Sequence, residues 1–272
     1  MKKKSNRSTL ILIAVFLVGL SLLLYPSISN YWNSFHATRA IASYSETVEQ
    51  MDDAQYDQMW NAARAYNQSL LTQANRYHMT DAQREEYEAL LDVTGTGIMG
   101  YIEIPAIHVS LPVYHGVDEA VLQIAVGHIE GSSLPVGGES THCVVSGHRG
   151  LPSAKLFTNL DELTEGDVFL FRVLDEVLTY EVDTVLIVEP EDVSALEIVE
   201  GEDLCTLVTC TPYGINTHRL LVQGHRIENL DPTFIQVAAE AVPIDPFLVA
   251  PLVAAPILAG LFLLVMVKYR KK

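Results

Sequence analysis

The sequence predicts a mainly β protein: an antiparallel barrel or sandwich over residues 98–228, preceded by a helical extension and placed between two apolar segments. Short runs of alternating apolar residues, punctuated by proline and glycine, fill the chain from Gly100 to Gly224, and this pattern is typical of strands. Residues 36–92 instead repeat apolar side chains at steps of three and four, which predicts helix.

Two apolar segments, residues 9–26 and 246–267, contain no charged residue. Each approaches the roughly 20 residues that a helix needs to cross a bilayer, so we expect two transmembrane helices. Four basic residues lie in each terminal tail, residues 1–8 and 268–272. Because basic residues concentrate on the cytoplasmic side, we expect both termini in the cytoplasm and the middle of the chain outside the plasma membrane. A cleaved signal peptide is the alternative for the first segment, but no small-residue cleavage pattern follows it.

The part of the chain between the tails is strongly acidic. It carries nine of the 17 lysines and arginines and all 34 aspartates and glutamates. Such a surface has nothing to neutralise phosphates, which argues against nucleic acid as a partner. It suits a solvated surface, or the attraction of cationic groups such as substrate lysines.

Three cysteines in this chain cannot all pair with one another, so at least one thiol is free. Cys205 and Cys210 lie five residues apart in one predicted strand, beyond the reach of a disulfide and on opposite faces. Cys143 and Cys205 are therefore expected to be small buried apolar residues. No close spacing of cysteine and histidine predicts a metal site, and we expect no metal and no cofactor.

The extension, residues 27–97, is expected to form two or more helices that pack on the rest of the protein. Its apolar positions are Val48, Met51, Met59, Ala62, Tyr66 and Leu70. A polar linker over residues 229–245 is expected to join the β domain to the second apolar segment.

Strands are expected first at alternating apolar positions from Ile102 to Val113. The later ones are predicted at Cys143–Ser146, Val168–Val173, Val177–Val182, Val185–Val188, Leu204–Cys210 and Arg219–Gly224. The break at residues 174–176 between two alternating runs predicts a hairpin.

Three residues at predicted strand ends form a chemical constellation. His148 follows a strand that stops at glycine, Cys210 ends a predicted strand two residues before Pro212, and Arg219 begins the next strand. If these last two strands are antiparallel neighbours, Cys210 and Arg219 face each other. A thiolate can attack a carbonyl, an arginine can stabilise the developing oxyanion, and a histidine can move the protons.

Four stretches closely resemble sortases, in particular the pilin-polymerising class C sortases of Gram-positive bacteria. They read GYIEIPAIHVSLPVYHG, GHIEGSSLPVGGESTH, VVSGHRGLPSAKLFTNLDEL and TLVTCTPYGINTHRLLVQGHR. The resemblance covers residues 97–227 with the motifs in the family's order. It implies a closed sortase-type β-barrel, and the helical extension and two flanking transmembrane helices also fit class C.

The resemblance also implies roles for the three residues. Cys210 would be the nucleophile that attacks the Thr–Gly carbonyl of an LPXTG-type sorting signal, His148 the general acid and base, and Arg219 the residue that positions substrate and stabilises the oxyanion. A lysine amine of another pilin subunit would resolve the thioacyl enzyme, building a covalent pilus. The implied partners are pilin subunits with their sorting signals and acceptor lysines.

In one respect the sequence departs from the family pattern. Class C sortases often cover the cysteine with a lid that contains an Asp-Pro-aromatic motif, whereas residues 77–84 contain no proline. The extension is therefore a candidate lid without that motif.

Two other functions remain open from the sequence. One is a sortase that attaches proteins to cell-wall peptide rather than to pilin lysines. The other is a non-catalytic membrane adhesion or scaffold protein, in which His148, Cys210 and Arg219 need not converge. His128, His142, His218 and His225 are expected to form structural hydrogen bonds.

Overall fold

A computed structural model describes residues 6–229 and 246–270. All of the predicted linker except residue 229 lies outside the described residues, as do parts of both predicted tails. The helices are α1 (Asn6–Glu49), α2 (Asp53–Leu70), α3 (Asp81–Glu88), α4 (Glu119–Leu122) and α5 (Pro246–Arg270). The strands are β1 (Ile98–Ile104), β2 (Val109–His115), β3 (Val126–His128), β4 (Thr141–Ser146), β5 (Val168–Val173), β6 (Glu176–Val188), β7 (Asp203–Thr211) and β8 (His218–Ile227).

The eight strands form a closed barrel in the order β1-β2-β3-β4-β7-β8-β6-β5. The closed β-barrel is therefore confirmed, but the expected antiparallel pairing is wrong for two pairs, since β2–β3 and β4–β7 are parallel. Alternation of apolar residues shows which face of the sheet a side chain occupies, but it carries no information on the direction of the neighbouring strand. The long connections between these strands, such as the one through α4, permit parallel pairing.

Local strand predictions hold with three differences, the first being that β3 was not predicted. β5 has the predicted bounds, and the predicted hairpin is present, with Val173 opposite Glu176. Ile107 lies in a 3-10 turn between β1 and β2 rather than in a strand. The two strands predicted over residues 177–188 are one strand. It pairs with β8 on both sides of an irregularity near residue 183.

Side chains alternate between the barrel interior and an outer face. On β4 and β7 the interior receives Cys143, Val145, Cys205 and Leu207, within the main core. The intervening residues Val144 and Val208 pack with Leu196 and Leu221 in a second, smaller apolar cluster on the outside of the barrel. This outer cluster forms the floor of the site described below.

The helix α1 is continuous from its apolar N-terminal half to Glu49 and includes Pro26. It is the one helix among the described residues that is long and apolar enough to cross a membrane. The apolar run of α5, Val253–Val265, is shorter, so the expected second transmembrane helix is not confirmed. The two helices touch, with the rings of Phe16 and Phe262 stacked at 4.3 Å.

The extension is joined to the barrel by buried polar contacts. Tyr44 of α1 is fully buried, donates its hydroxyl to the Met99 carbonyl at 3.1 Å and accepts from the Leu174 amide at 2.7 Å. Tyr87 of α3 is also buried, and its hydroxyl lies 2.8 Å from Nδ1 of His128. These contacts satisfy polar groups that burial would otherwise leave costly, and they fix the extension against the barrel.

Candidate active site

The strands β4 and β7 bring His148 and Cys210 to the same level of the barrel. They are parallel neighbours with Ser146 opposite Val208. Beyond this last pair, the Gly147 amide donates to the Val208 carbonyl at 3.0 Å and the Thr209 hydroxyl donates to the Gly147 carbonyl at 2.7 Å. Extended by two residues on each strand, this register places His148 level with Cys210.

The strands β7 and β8 place Arg219 directly opposite Cys210 in an antiparallel ladder. This is the arrangement that the short connection between the two strands predicts. Cys210 has the parity of Val208 and therefore belongs to the outer face, whereas Cys205 is in the core. Cys210 is partly exposed, while Cys143 and Cys205 are buried, as the sequence predicts.

The buried thiols are poor candidates for a nucleophile. Cys143 and Cys205 lie opposite each other inside the barrel. Burial raises the pKa of Cys205 well above its ordinary value. Cys210 is the cysteine that solvent reaches.

His148 has an acidic neighbour that the sequence did not indicate. Its Nε2 lies 3.6 Å from Oε2 of Glu119 in α4. A hydrogen bond from the Gln123 amide and, to a smaller extent, the nearby His148 hold the pKa of the Glu119 carboxyl below its usual range. Glu119 lies far from His148 in the sequence and no motif connects them, so only the folded structure reveals this contact.

A cavity of about 520 Å³ is lined by Ser146, Val208 and Arg219, which neighbour His148 and Cys210 in the chain or the ladder, although neither of those two lines it. Its floor is the apolar outer cluster with Val188, and Arg219 lies at its edge. Asp118, Glu130 and Asp192 add negative charge to its rim. The cavity thus offers apolar contacts for an extended chain and acidic groups for a cation.

The extension reaches this cavity through Tyr77 and Arg84. Arg76 holds the segment in place: it donates to the Leu196 carbonyl at 2.9 Å and pairs with Glu197 at 3.1 Å. Arg84 pairs with Glu130 at 3.1 Å. The segment 76–84 therefore lies over part of the cavity without an Asp-Pro-aromatic motif.

The other histidines of the motifs make structural contacts. His142 is buried, its Nδ1 donates to the Glu197 carbonyl at 2.8 Å, and its Nε2 lies 2.8 Å from the Thr206 hydroxyl. His128 donates from Nε2 to the Ser133 carbonyl at 2.9 Å. Within residues 6–229 and 246–270, no three acidic, histidine or cysteine side chains are grouped to hold a metal ion.

Known proteins resemble this chain in sequence and in fold. The family model described as Sortase domain matches residues 102–227. The crystal structure of sortase C1 from Streptococcus agalactiae is 52% identical with a TM-score of 0.69, covering 71% of this chain and 100% of that chain. The sortase C structure from Streptococcus pneumoniae is 47% identical with a TM-score of 0.64, covering 71% and 99% respectively.

Curated relatives are matched over shorter stretches. Sortase D of Bacillus subtilis is 31% identical over 131 residues, which is 47% of this chain and 63% of that protein. Sortase A of Streptococcus agalactiae is matched over 47% of its own length. The chain thus spans less than two thirds of these two relatives. The structure of sortase C1 from Streptococcus agalactiae is by contrast covered over its full length, with more than half of the residues identical. The chain therefore belongs to the sortase family of cysteine transpeptidases, among the class C sortases.

Proposed function

We propose that this chain is a transpeptidase that cuts an LPXTG-type sorting signal between threonine and glycine and joins the threonine to a lysine amine of a pilin. The observation that carries the proposal is the register of three neighbouring strands. It sets Cys210 level with His148 on one side and opposite Arg219 on the other. Arg219 also lines the cavity that we assign to the extended peptide.

In the first half of the reaction, Sγ of Cys210 attacks the threonine carbonyl carbon. The carbonyl oxygen becomes an oxyanion, and the guanidinium of Arg219 donates hydrogen bonds to it. His148 then gives a proton to the glycine nitrogen as the C–N bond breaks. The products are a thioester between Cys210 and threonine and a free glycine amine.

In the second half, a lysine ε-amine attacks the thioester. His148 accepts the proton that the amine loses, an isopeptide bond forms, and the Cys210 thiolate leaves. The negative charge of the exported region and of the cavity rim favours the approach of a cationic lysine. Since the amine must lose its proton to react, a nearby base is needed, and His148 is that base.

Two further features support this function. The solved sortase C of Streptococcus pneumoniae is described in terms of pilin substrate specificity, and it is 47% identical to this chain. The apolar half of α1 suits an anchor in the plasma membrane, with the barrel outside the cell. A membrane-bound enzyme would meet its pilin substrates where they leave the membrane.

A decisive experiment incubates the full chain in detergent with an LPXTG peptide and measures its intact mass. We expect a thioacyl adduct in the wild type and in Cys143→Ala, which removes a buried thiol, and none in Cys210→Ala. An adduct that persists in Cys210→Ala, or that is absent from the wild type, would contradict the proposal.

The acceptor is tested in the same system. A lysine-bearing pilin peptide and a peptide with a free α-amine, as in a cell-wall cross-bridge, compete for the thioacyl enzyme. Preference for lysine supports pilin joining, whereas preference for the α-amine would favour the wall-anchoring alternative. Absence of thioacylation altogether would favour a scaffold or adhesion role.

A further inference from the structure

The strand ladder that aligns His148 with Cys210 stops before it reaches the histidine. Its last pair is Ser146 with Val208, and His148 lies beyond the end of β4. Its own carbonyl accepts from the Phe157 amide at 3.1 Å, which ties the backbone to its own loop rather than to β7. Gly147 is tied to Val208 and Thr209 of β7, but neither bond reaches the residues after His148 or the segment that follows Cys210.

Arg149, the residue after His148, is placed to hold its loop against the segment that follows Cys210. Its side chain is only 10% exposed, and its Nη2 donates to Oδ2 of Asp161. The guanidinium carbon lies 5.7 Å from the centre of the Tyr213 ring. An arginine over an aromatic ring is attracted by the electron-rich face of the ring. Arg149 therefore joins its own loop to Tyr213.

Tyr213 belongs to the other loop, three residues after Cys210. Its ring also packs on the backbone of Gly150: a Cβ added there would lie 3.0 Å from Cε2 of the ring, and Gly150 has a φ of +77°. A side chain at this position would both strain the backbone and push the ring away. Tyr213 is otherwise 59% exposed, so these contacts with the histidine loop are what orient it.

We infer that Arg149 and Tyr213 clamp the His148 loop to the Cys210 loop, and that they are positioning residues for the transfer of protons at the scissile bond. The inference rests on the proposed function, because it assigns the clamp to the reaction of Cys210 and His148. Neither residue touches the reacting atoms. The clamp acts by keeping the imidazole within reach of the thioester, where a displacement of about 1 Å costs roughly a hundredfold in rate.

The chain offers a matched control for this pair. Arg226 lies 5.8 Å from the centre of the Tyr180 ring, seven positions along β8 from Arg219. Arg226→Lys therefore removes the same kind of contact away from the site. Comparing the rates of Arg226→Lys and Arg149→Lys separates the general effect of losing a guanidinium over a ring from the specific effect of losing the clamp.

The test measures single-turnover thioacylation of the full chain by an LPXTG peptide, as a function of peptide concentration and pH. We expect Tyr213→Phe and Arg226→Lys to stay within about twofold of the wild type. Tyr213→Ala and Arg149→Lys should lose about tenfold to a hundredfold, in the maximal rate rather than in the peptide concentration at half saturation. Their pH profiles should change shape, because the protonated imidazole no longer reaches the leaving amine.

The double variant Arg149→Lys with Tyr213→Ala should be no slower than the worse of the two single variants, since each removes the same clamp. Three outcomes would overturn the clamp alone. The first is that an active wild type is matched within twofold by Arg149→Lys and Tyr213→Ala. The others are additive losses of rate in the double variant and equal losses of rate in Tyr213→Phe and Tyr213→Ala. A wild type that forms no thioacyl enzyme would overturn the proposed function and the clamp's role with it. If Arg149→Lys does not fold, the comparison of Tyr213→Phe with Tyr213→Ala, both at an exposed residue, tests the clamp.

Discussion

Asn67 and Leu134 exchange two hydrogen bonds inside the protein. The Asn67 side-chain amide donates to the Leu134 carbonyl at 3.1 Å, and the Leu134 amide donates to Oδ1 of Asn67 at 2.7 Å. One side chain of α2 thus satisfies both backbone groups of a buried residue in the connection between β3 and β4. The helical extension is joined to the barrel at this point by buried hydrogen bonds.

Asn67→Ala should therefore lower the free energy of unfolding by about 1–3 kcal/mol, because it leaves a buried donor and a buried acceptor unpaired. Thermal or urea unfolding followed by circular dichroism measures the loss. Gln68→Ala, at the exposed neighbouring position, is the control and should change stability little. Equal stability of the two variants would show that water replaces Asn67 without cost.

Arg219→Lys should slow thioacylation by about a hundredfold or more, because lysine keeps the charge but lacks the planar fork that holds an oxyanion. Alkylation of Cys210 by iodoacetamide forms no oxyanion and should remain within about twofold of the wild type. Quenched-flow mass spectrometry measures both rates. Equal losses in the two reactions would mean that Arg219 acts on the thiol itself.

Arg76→Ala should loosen the segment 76–84, since Arg76 holds it to Leu196 and Glu197. Tyr77 and Arg84 of the segment line the cavity. We propose that the segment competes with the sorting peptide for this space, so the KM for the peptide should fall by about threefold to tenfold, with kcat unchanged. Arg64→Ala, at an exposed position of α2, serves as the matched arginine control. An unchanged KM would argue that the segment does not obstruct the peptide.

The stability of the protein should fall as the pH drops below neutral. Burial, together with the positive charge of Arg76, lowers the pKa of His142, although the hydrogen bond to the Glu197 carbonyl opposes this. The unfolded chain binds a proton near the ordinary pKa of about 6.5, whereas the folded protein resists protonation. More protons are then bound by the unfolded state, and acid favours unfolding.

Burial lowers the pKa of His115 as well, so this histidine acts in the same direction. Unfolding midpoints measured from pH 7.5 to 5.5 should decline less steeply in His142→Gln than in the wild type. His225→Gln changes a partly exposed histidine beside Asp183 and is the control. A slope that His142→Gln leaves unaltered would place the pH dependence in other groups.

Local features of the fold followed directly from the sequence. The bounds of β5 and its hairpin with β6 were predictable because alternation and turn residues act over short distances. The opposite faces of Cys205 and Cys210 follow from their odd spacing. The meeting of Cys210 with Arg219 was predictable because the connection between their strands is too short for any other arrangement.

Relationships between distant segments were not predictable from the residues alone. Nothing in the alternation of β4 and β7 indicates that they are parallel neighbours, so the alignment of His148 with Cys210 came from the family resemblance. Contacts between loops, such as Glu119 with His148 and Arg149 with Tyr213, depend on the finished fold. The continuity of α1 through Pro26 was also not predictable, because an interior proline removes a backbone donor and usually kinks or ends a helix.

The side-by-side pairing of β4 and β7 has a consequence for how such a chain can be altered. The level of His148 relative to Cys210 follows from the register of two adjacent strands, because each residue lies only two positions past the last strand pair. The chain between them, residues 149–202, includes β5 and β6, so an insertion that keeps this register has to fall in one of its loops outside the His148 loop. Deleting a single residue within β7 between Cys205 and Cys210 would instead reverse the faces of all later residues of the strand and turn the Cys210 thiol into the core.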